Sequence, residues 1–438
     1  MIARILTTLA LVLAGTVARA EIDIIEITSD GGIDAWVVEE PSIPFLALEI
    51  RFRGGATLDR EGMRGAVNLM TGLIEEGAGE LDAQAFQTAR EALAARFGFR
   101  AYDDTLSISA QMLTENREEA LDLLRQALTQ PRFDEVALER VRAQVLAGIE
   151  SDQKNPSALG GQAFNGMAFE GHPYGTDISG TLESVAGLTR DDMVQAHRDA
   201  LTLDRVYVSV VGDITADEVG PMLDELLGSL PAEGPPLPEN VAFGLDGGIT
   251  VVDYDTPQSV AVFGHAGIKR EDEDFFAAYI MNHVLGAGSF ESRLMNEVRE
   301  KRGLTYGIRT FLLPKFHAEM MLGTVASANG TIAEAVEVIR DEWTKMAEEG
   351  LTAEELEEAK TYLTGEYPLR FDGNAEIAGI MVGMQMIDLP PEYVVNRNDY
   401  IEAVTLEDVN RVAAELLDPE GLHFVVVGKP AGLETGPF

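Results

Sequence analysis

Residues 189–212 read TRDDMVQAHRDALTLDRVYVSVVG, and residues 405–428 read TLEDVNRVAAELLDPEGLHFVVVG. The two stretches align without a gap. Thr189 falls on Thr405, Asp192 on Asp408, Leu201 on Leu417, and Val210-Val211-Gly212 on Val426-Val427-Gly428. Each opens with a threonine and an acid three residues later, the pattern of a helix capping box. Each then runs through an amphipathic helix and a short loop into a β-branched strand that ends in glycine. A repeat this widely spaced is too long for a solenoid and implies two homologous domains.

The boundary between the halves is legible. Pro231, Pro235, Pro236 and Pro238 crowd one short stretch that lacks the donors and torsions of regular structure. The expected division is 21–230 for the first domain, 231–239 for a proline-rich linker and 240–438 for the second domain. Within each half, strand-like and helical segments mix without strict βαβ alternation. Phe45–Phe52 alternates as a strand, Gly62–Ile74 and Gln84–Phe97 read as helices, and Thr105–Leu113 alternates with Leu106, Ile108, Ala110 and Met112 on one side. Arg117–Leu128 and Val136–Asp152 are helical. The second half repeats this order with Ser259–Ala266, Glu273–Leu285, Glu291–Arg302, Ala318–Ala326, Ile332–Glu349 and Ala353–Tyr367. The fold class is α+β, with a mixed or antiparallel sheet in each domain and helices on one face.

The 438-residue chain carries a net charge of −41 and no cysteine. Disulfides, thiolate metal sites and a cysteine nucleophile are therefore excluded. So acidic a chain is repelled by nucleic acid and by anionic lipid, so neither nucleic acid nor membrane is expected as a partner. The same charge suggests a preference for basic peptides. Residues 1–20, MIARILTTLALVLAGTVARA, place Arg4 before an apolar run and close on Ala18-Arg19-Ala20. That is the pattern of a cleaved signal peptide, too short to span a bilayer, and it predicts a periplasmic protein.

In the second half, SFESRLMNEVREKRGLTY (289–306) sets Arg299 near the end of a charged helix and Tyr306 on the following strand, across Gly303. Both side chains donate hydrogen bonds, and such a pair can grip peptide carbonyls or a developing oxyanion. A solvated helix arginine and a core tyrosine would give the same spacing.

The longer run LGAGSFESRLMNEVREKRGLTYGI (285–308) resembles the second-domain signature of the pitrilysin, insulinase and mitochondrial processing peptidase family. RGGATLDREG (53–62), HPYGTDISG (172–180) and the repeated helix–strand units resemble further segments of that family in the expected order. The resemblance implies two domains of the LuxS/MPP-like metallohydrolase fold. Active members carry H-x-x-E-H on the first long helix, where two histidines bind zinc and the glutamate is the general base. Here the histidine positions hold Gly65 and Leu69, and the glutamate position holds Asn68. The distal glutamate is missing too, since Val145-Leu146-Ala147-Gly148-Ile149 stands where V-L-E-E-I is usual. His172, His197, His265, His283, His317 and His423 form no i, i+4 pair. No metal ligand, and no cofactor, is expected in this chain.

In two-chain members of the family one subunit carries zinc and its partner carries the Arg/Tyr pair with a glycine-rich loop. The resemblance thus implies a non-zinc accessory subunit of a heterodimeric zinc metallopeptidase, with zinc in the homologous partner subunit. Such a chain binds peptide substrate through Arg299 and Tyr306 and is inactive alone. Gly286, Gly288 and Ser289 correspond to the substrate loop, although they equally suit a helix start with Ser289 as cap. A catalytically dead scaffold or peptide-binding homologue is the alternative.

Overall fold

The computed structural model describes residues 22–436; the signal-peptide expectation for residues 1–20 lies outside them. In the first half, β1 (Ile25–Thr28), β2 (Asp34–Glu39), β3 (Phe45–Arg53), β4 (Arg96–Ala101), β5 (Thr105–Leu113) and β6 (Val206–Gly212) form one sheet in the order β1-β2-β6-β3-β5-β4. In the second half, β7 (Gly248–Asp253), β8 (Gln258–Ala266), β9 (Thr305–Pro314), β10 (Glu319–Ala328) and β11 (His423–Gly428) form another in the order β9-β10-β8-β11-β7. The β2/β6 and β7/β11 pairs are parallel, and all other neighbours in these two sheets are antiparallel. The repeat seen in the sequence is therefore a repeat of mixed-sheet topology.

The repeated units have the same local chemistry. Thr189 and Asp192 form a complete capping box at helix Arg190–Ala200, and Thr405 and Asp408 form its counterpart at helix Leu406–Leu416. Gly212 and Gly428 end equivalent strands with φ of 143° and 152°. A side chain at Gly212 would stand 2.1 Å from the Phe45 carbonyl oxygen, and one at Gly428 would stand 2.3 Å from Ser259 Oγ. Both positions require glycine for close strand approach as well as for the backbone angle.

The inner face of each sheet packs on helices of its own half. Leu46, Leu48, Ile50 and Phe52 of β3 and Leu106, Ile108, Ala110 and Met112 of β5 are buried in the first core. Phe263, Phe424 and Trp343 anchor the second, where the Trp343 indole N–H donates to His265 Nε2 at 3.0 Å.

The expectation of helices on one face only needs amending, because the outer faces are covered by an exchange between the halves. Helix Pro156–Ala168 puts Phe164 and Ala168 against Val262 of β8 and Val425 of β11. Helix Asn374–Met386 puts Ala378, Met381 and Met384 against Trp36, Ala47 and Val211 of the first sheet. Gln385 fastens the latter by donating to the Val208 carbonyl and to Ser209 Oγ, both at 2.8 Å. Each fully buried large apolar side chain contributes roughly 1.5–3 kcal/mol, so the exchange ties the two halves together. Residues 231–247 contain no helix or strand, yet Val241, Phe243 and Leu245 pack under the first exchanged helix. No helix among the described residues is long and apolar enough to cross a membrane.

Candidate functional site

The glycine-bearing loop grows out of a helix that widens. Helix Phe275–Asn282 passes into a π-turn, His283–Ala287. Asn282 is buried and accepts a hydrogen bond from the Thr310 hydroxyl at 2.7 Å. Gly286 is buried against that strand, and a Cβ there would stand 2.5 Å from Thr310 Oγ1. Gly288 donates its N–H to the His283 carbonyl at 2.8 Å, and a Cβ there would meet the same oxygen at 2.7 Å. Packing thus accounts for glycine at both positions. Burial holds the His283 imidazole below its ordinary pKa, and its ring stacks on Tyr362 at 5.1 Å. Ser289 opens a single 3-10 turn, Ser289–Glu291; its side chain lies outside the described residues. The helix that follows starts at Ser292, whose carbonyl accepts the Asn296 N–H at 3.0 Å and whose hydroxyl accepts the Met295 N–H at 3.4 Å.

The segment expected as one helix, Glu291–Arg302, contains a second π-turn, Met295–Glu300. Such wide turns recur at functional sites. Met295 and Val298 face the core and Arg299 faces out. Gly303, at φ 66°, stops the helix by donating to the Arg299 carbonyl at 2.9 Å, and Leu304 donates to the Val298 carbonyl at 2.9 Å. The register of β9 on β10 then jumps from Thr305/Ser327 to Ile308/Val325. The jump leaves Tyr306 and Gly307 in a bulge, a device that re-aims side chains. Tyr306 is 89% exposed. The Arg299 guanidinium pairs with Glu300 and lies 4.9 Å from the Phe290 ring centre. Arg299 and Tyr306 therefore both stand at the surface, on consecutive segments hinged at Gly303.

The first-half helix that the resemblance aligns with H-x-x-E-H is short. It spans Ala66–Thr71, because Gly62 and Gly65 take φ of 79° and 95° and unwind the preceding turn. Asp59 caps it, accepting the N–H groups of Gly65 and Val67, each at 2.8 Å. Burial raises the Asp59 pKa to about 6, against the opposing pull of those hydrogen bonds and of Arg64. Arg64 fastens the unwound turn to the carbonyls of Ala56, Pro173 and Thr176. A Cβ at Gly65 would stand 2.6 Å from the Ser179 carbonyl, and Leu69 is fully buried in the core. Asn68 is half-buried. Zinc does not fit these residues: two of the three offer no donor atom, and their positions point into packed structure. Among the described residues, no group of three or more His, Cys, Asp or Glu side chains is placed to hold a metal ion.

The His172-Pro173-Tyr174-Gly175 segment builds a joint between the halves. The Tyr174 hydroxyl donates to Asp104 Oδ2 at 2.6 Å and accepts the His317 backbone N–H at 3.1 Å. Lys315 pairs with Asp103 at 2.6 Å and sits 4.2 Å from the Tyr174 ring centre. Burial raises the pKa of Asp104. Sequence reasoning singled out the tyrosine's motif but not Asp104, Lys315 or His317, because no local pattern announces a contact between distant turns.

A duplicated mixed sheet with exchanged covering helices carries, in its first half, Gly65, Asn68 and Leu69 in positions that do not fit zinc and, in its second, an exposed Tyr306 with a half-buried Arg299. Residues 36–182 match the family described as Insulinase (Peptidase family M16), and residues 187–363 match the Peptidase M16 inactive domain. A Helicobacter pylori protein described as a non-peptidase homolog, YmxG, is 27% identical over 394 residues, covering 89% of this chain and 90% of its own. A probable mitochondrial-processing peptidase subunit beta from Schizosaccharomyces pombe is 25% identical over 335 residues, covering 72% and 71%. The crystal structure of a peptidase M16 inactive domain from Pseudomonas fluorescens superposes with a TM-score of 0.87 at 26% identity, covering 95% of this chain and all of that one. The chain belongs to the M16 (insulinase) peptidase family, and its similarities support an inactive member of it.

Proposed function

We propose that this chain is the non-zinc accessory subunit of a two-chain M16 peptidase, exported to the periplasm by residues 1–20. Its partner is a homologous subunit carrying H-x-x-E-H and zinc. Peptide substrate binds between the two subunits. Tyr306 donates to the tetrahedral oxyanion formed at the partner's metal, and Arg299 holds a neighbouring substrate carbonyl. Donors placed where charge develops are worth about 3 kcal/mol each in the transition state.

The observation that carries this reading is the placement of Tyr306. A large aromatic side chain gains from burial, yet a bulge holds this one 89% exposed, just after a helix that carries Arg299 in its last turn. Tyr102, Tyr362 and Tyr400, also exposed among the described residues, stand at only about half that exposure. A second reading, a catalytically dead scaffold, draws support from the Arg299 contacts with Glu300 and Phe290, which are all internal.

Affinity capture of the mature chain from its own periplasm, followed by mass spectrometry, tests the proposal. An equimolar M16 relative bearing H-x-x-E-H is the expected companion. Recovery of the chain alone, or only with proteins unrelated to the family, would overturn it in favour of the scaffold.

A further inference from the structure

The stretch of sequence around Tyr306 is basic, against the charge of the whole chain. The net charge is −41, yet residues 293–315 hold Arg293, Arg299, Lys301, Arg302, Arg309 and Lys315 against only Glu297 and Glu300 as acids. Most of these cations are engaged. Arg293 pairs with Glu355, Arg299 with Glu300, Lys301 and Arg302 with Glu297, and Lys315 with Asp103. Arg309 is exposed and has no ion pair or hydrogen bond to a carboxylate among the described residues.

Arg309 also sits on the right piece of backbone. β9 pairs only with β10, so its other edge has no strand neighbour among the described residues, although the Ile308 N–H is taken by Met295 Sδ at 3.5 Å. Along β9, Ile308 and Thr310 are buried, whereas Gly307, Arg309 and Phe311 are exposed on the opposite face. Across the ladder Arg309 faces Thr324 and Phe311 faces Leu322, both half-buried. The cluster under the exchanged helix Pro156–Ala168 reaches Leu322 of β10 and Leu313 of β9, while Arg309 and Phe311 stay exposed. An extended peptide added at a free edge shows alternate side chains to one face. Its residues on that face lie beside Arg309 and then Phe311.

We infer that β9 selects peptides carrying a carboxylate on the residue beside Arg309, with an apolar residue two positions along, against Phe311. Arg309 is a specificity-determining residue here, because its planar fork matches a carboxylate and stays charged at every working pH. The preference is the reverse of the one suggested by net charge, since most acids lie elsewhere on the surface and are screened beyond a Debye length. This inference rests on the peptide-binding reading above and names the substrate class of that same site.

Fluorescence anisotropy on the mature chain tests it, with three labelled ten-residue peptides that differ only at alternate positions, as Glu, Gln or Lys. The Glu peptide is expected to bind about tenfold tighter than the Gln peptide at low salt, with the Lys peptide weakest. Arg309→Gln should remove the difference, and Arg309→Glu should invert the order. Both substitutions are on an exposed side chain, and circular dichroism confirms the fold. Peptides that bind wild type and Arg309→Glu in the same order would overturn the role of Arg309 while leaving peptide binding intact. Failure of all three peptides to bind the wild-type chain would overturn this inference, whereas the reading in which peptide binds between two subunits falls only if no H-x-x-E-H partner is captured.

Discussion

Asp59 accepts the backbone N–H of Gly65 at 2.8 Å, in the turn that the resemblance aligns with the first zinc-binding histidine of an active M16 peptidase. A left-handed glycine and a buried carboxylate thus occupy the start of what would be the metal helix. The site is rebuilt as a structural turn, cross-braced by Arg64, and has not merely lost three side chains.

It follows that restoring the motif does not restore the metal. The triple variant Gly65→His, Asn68→Glu, Leu69→His should bind no stoichiometric zinc by elemental analysis. A residue with Cβ at position 65 meets the Ser179 carbonyl, and a histidine at position 69 places a polar ring in the core. Burying such a group without a partner costs roughly 1–3 kcal/mol, so the melting temperature should fall by several degrees. One zinc per chain with unchanged stability would show that the turn is still a metal-ready helix.

Glu49 provides a pH test of the helix exchange. It lies on the outer face of β3, beside Ser209, to which Gln385 of the exchanged helix donates. Burial raises its pKa to about 7, with Arg51 pulling the other way. The folded state therefore holds the Glu49 proton more tightly than the unfolded chain, whose value lies near 4.5. The stability due to that proton is complete below about pH 4.5 and is lost as pH rises through about 7. Glu49→Gln should therefore gain in stability relative to wild type between pH 5 and pH 8. Urea titrations at the two pH values measure this, and a constant difference would contradict it.

Tyr174 ties three distant turns together through Asp104 and His317. Tyr174→Phe leaves the Asp104 carboxylate and the His317 N–H without that partner in a buried setting. A loss of about 2 kcal/mol in unfolding free energy is expected. Limited proteolysis should also show earlier cleavage in 231–247, which hangs from the same joint through the Val241 N–H bond to the His317 carbonyl. Wild-type stability in this variant would mean that the exchanged helices alone hold the halves together.

Much of this architecture was legible in the residues. Alternation marked β5 at its full extent, Thr105–Leu113, and apolar spacing marked helix Ile332–Glu349 to the residue. The repeated threonine and acid marked two capping boxes that the structure forms. What escaped depended on backbone angles and distant packing. Helix Gln84–Phe97 was expected to run on, but it ends at Ala92; Ala94 takes φ 50°, and β4 begins at Arg96. Nothing about an alanine announces a left-handed turn. The exchanged helix Asn374–Met386 is apolar on several sides and so has no clear face to read. The π-turns at His283–Ala287 and Met295–Glu300 shift the helical phase too little to disturb the hydrophobic pattern. For the same reason the bulge that exposes Tyr306 could not be told from a regular strand.

The most direct test is cleavage of a peptide substrate by residues 21–438 mixed with the proposed H-x-x-E-H partner, using wild type, Arg299→Ala and Tyr306→Phe. The account predicts no turnover by this chain alone and chelator-sensitive turnover by the mixture. Each variant should lower kcat about a hundredfold while the two subunits still co-elute. Unchanged turnover with both variants, or zinc-dependent cleavage by this chain by itself, would contradict it.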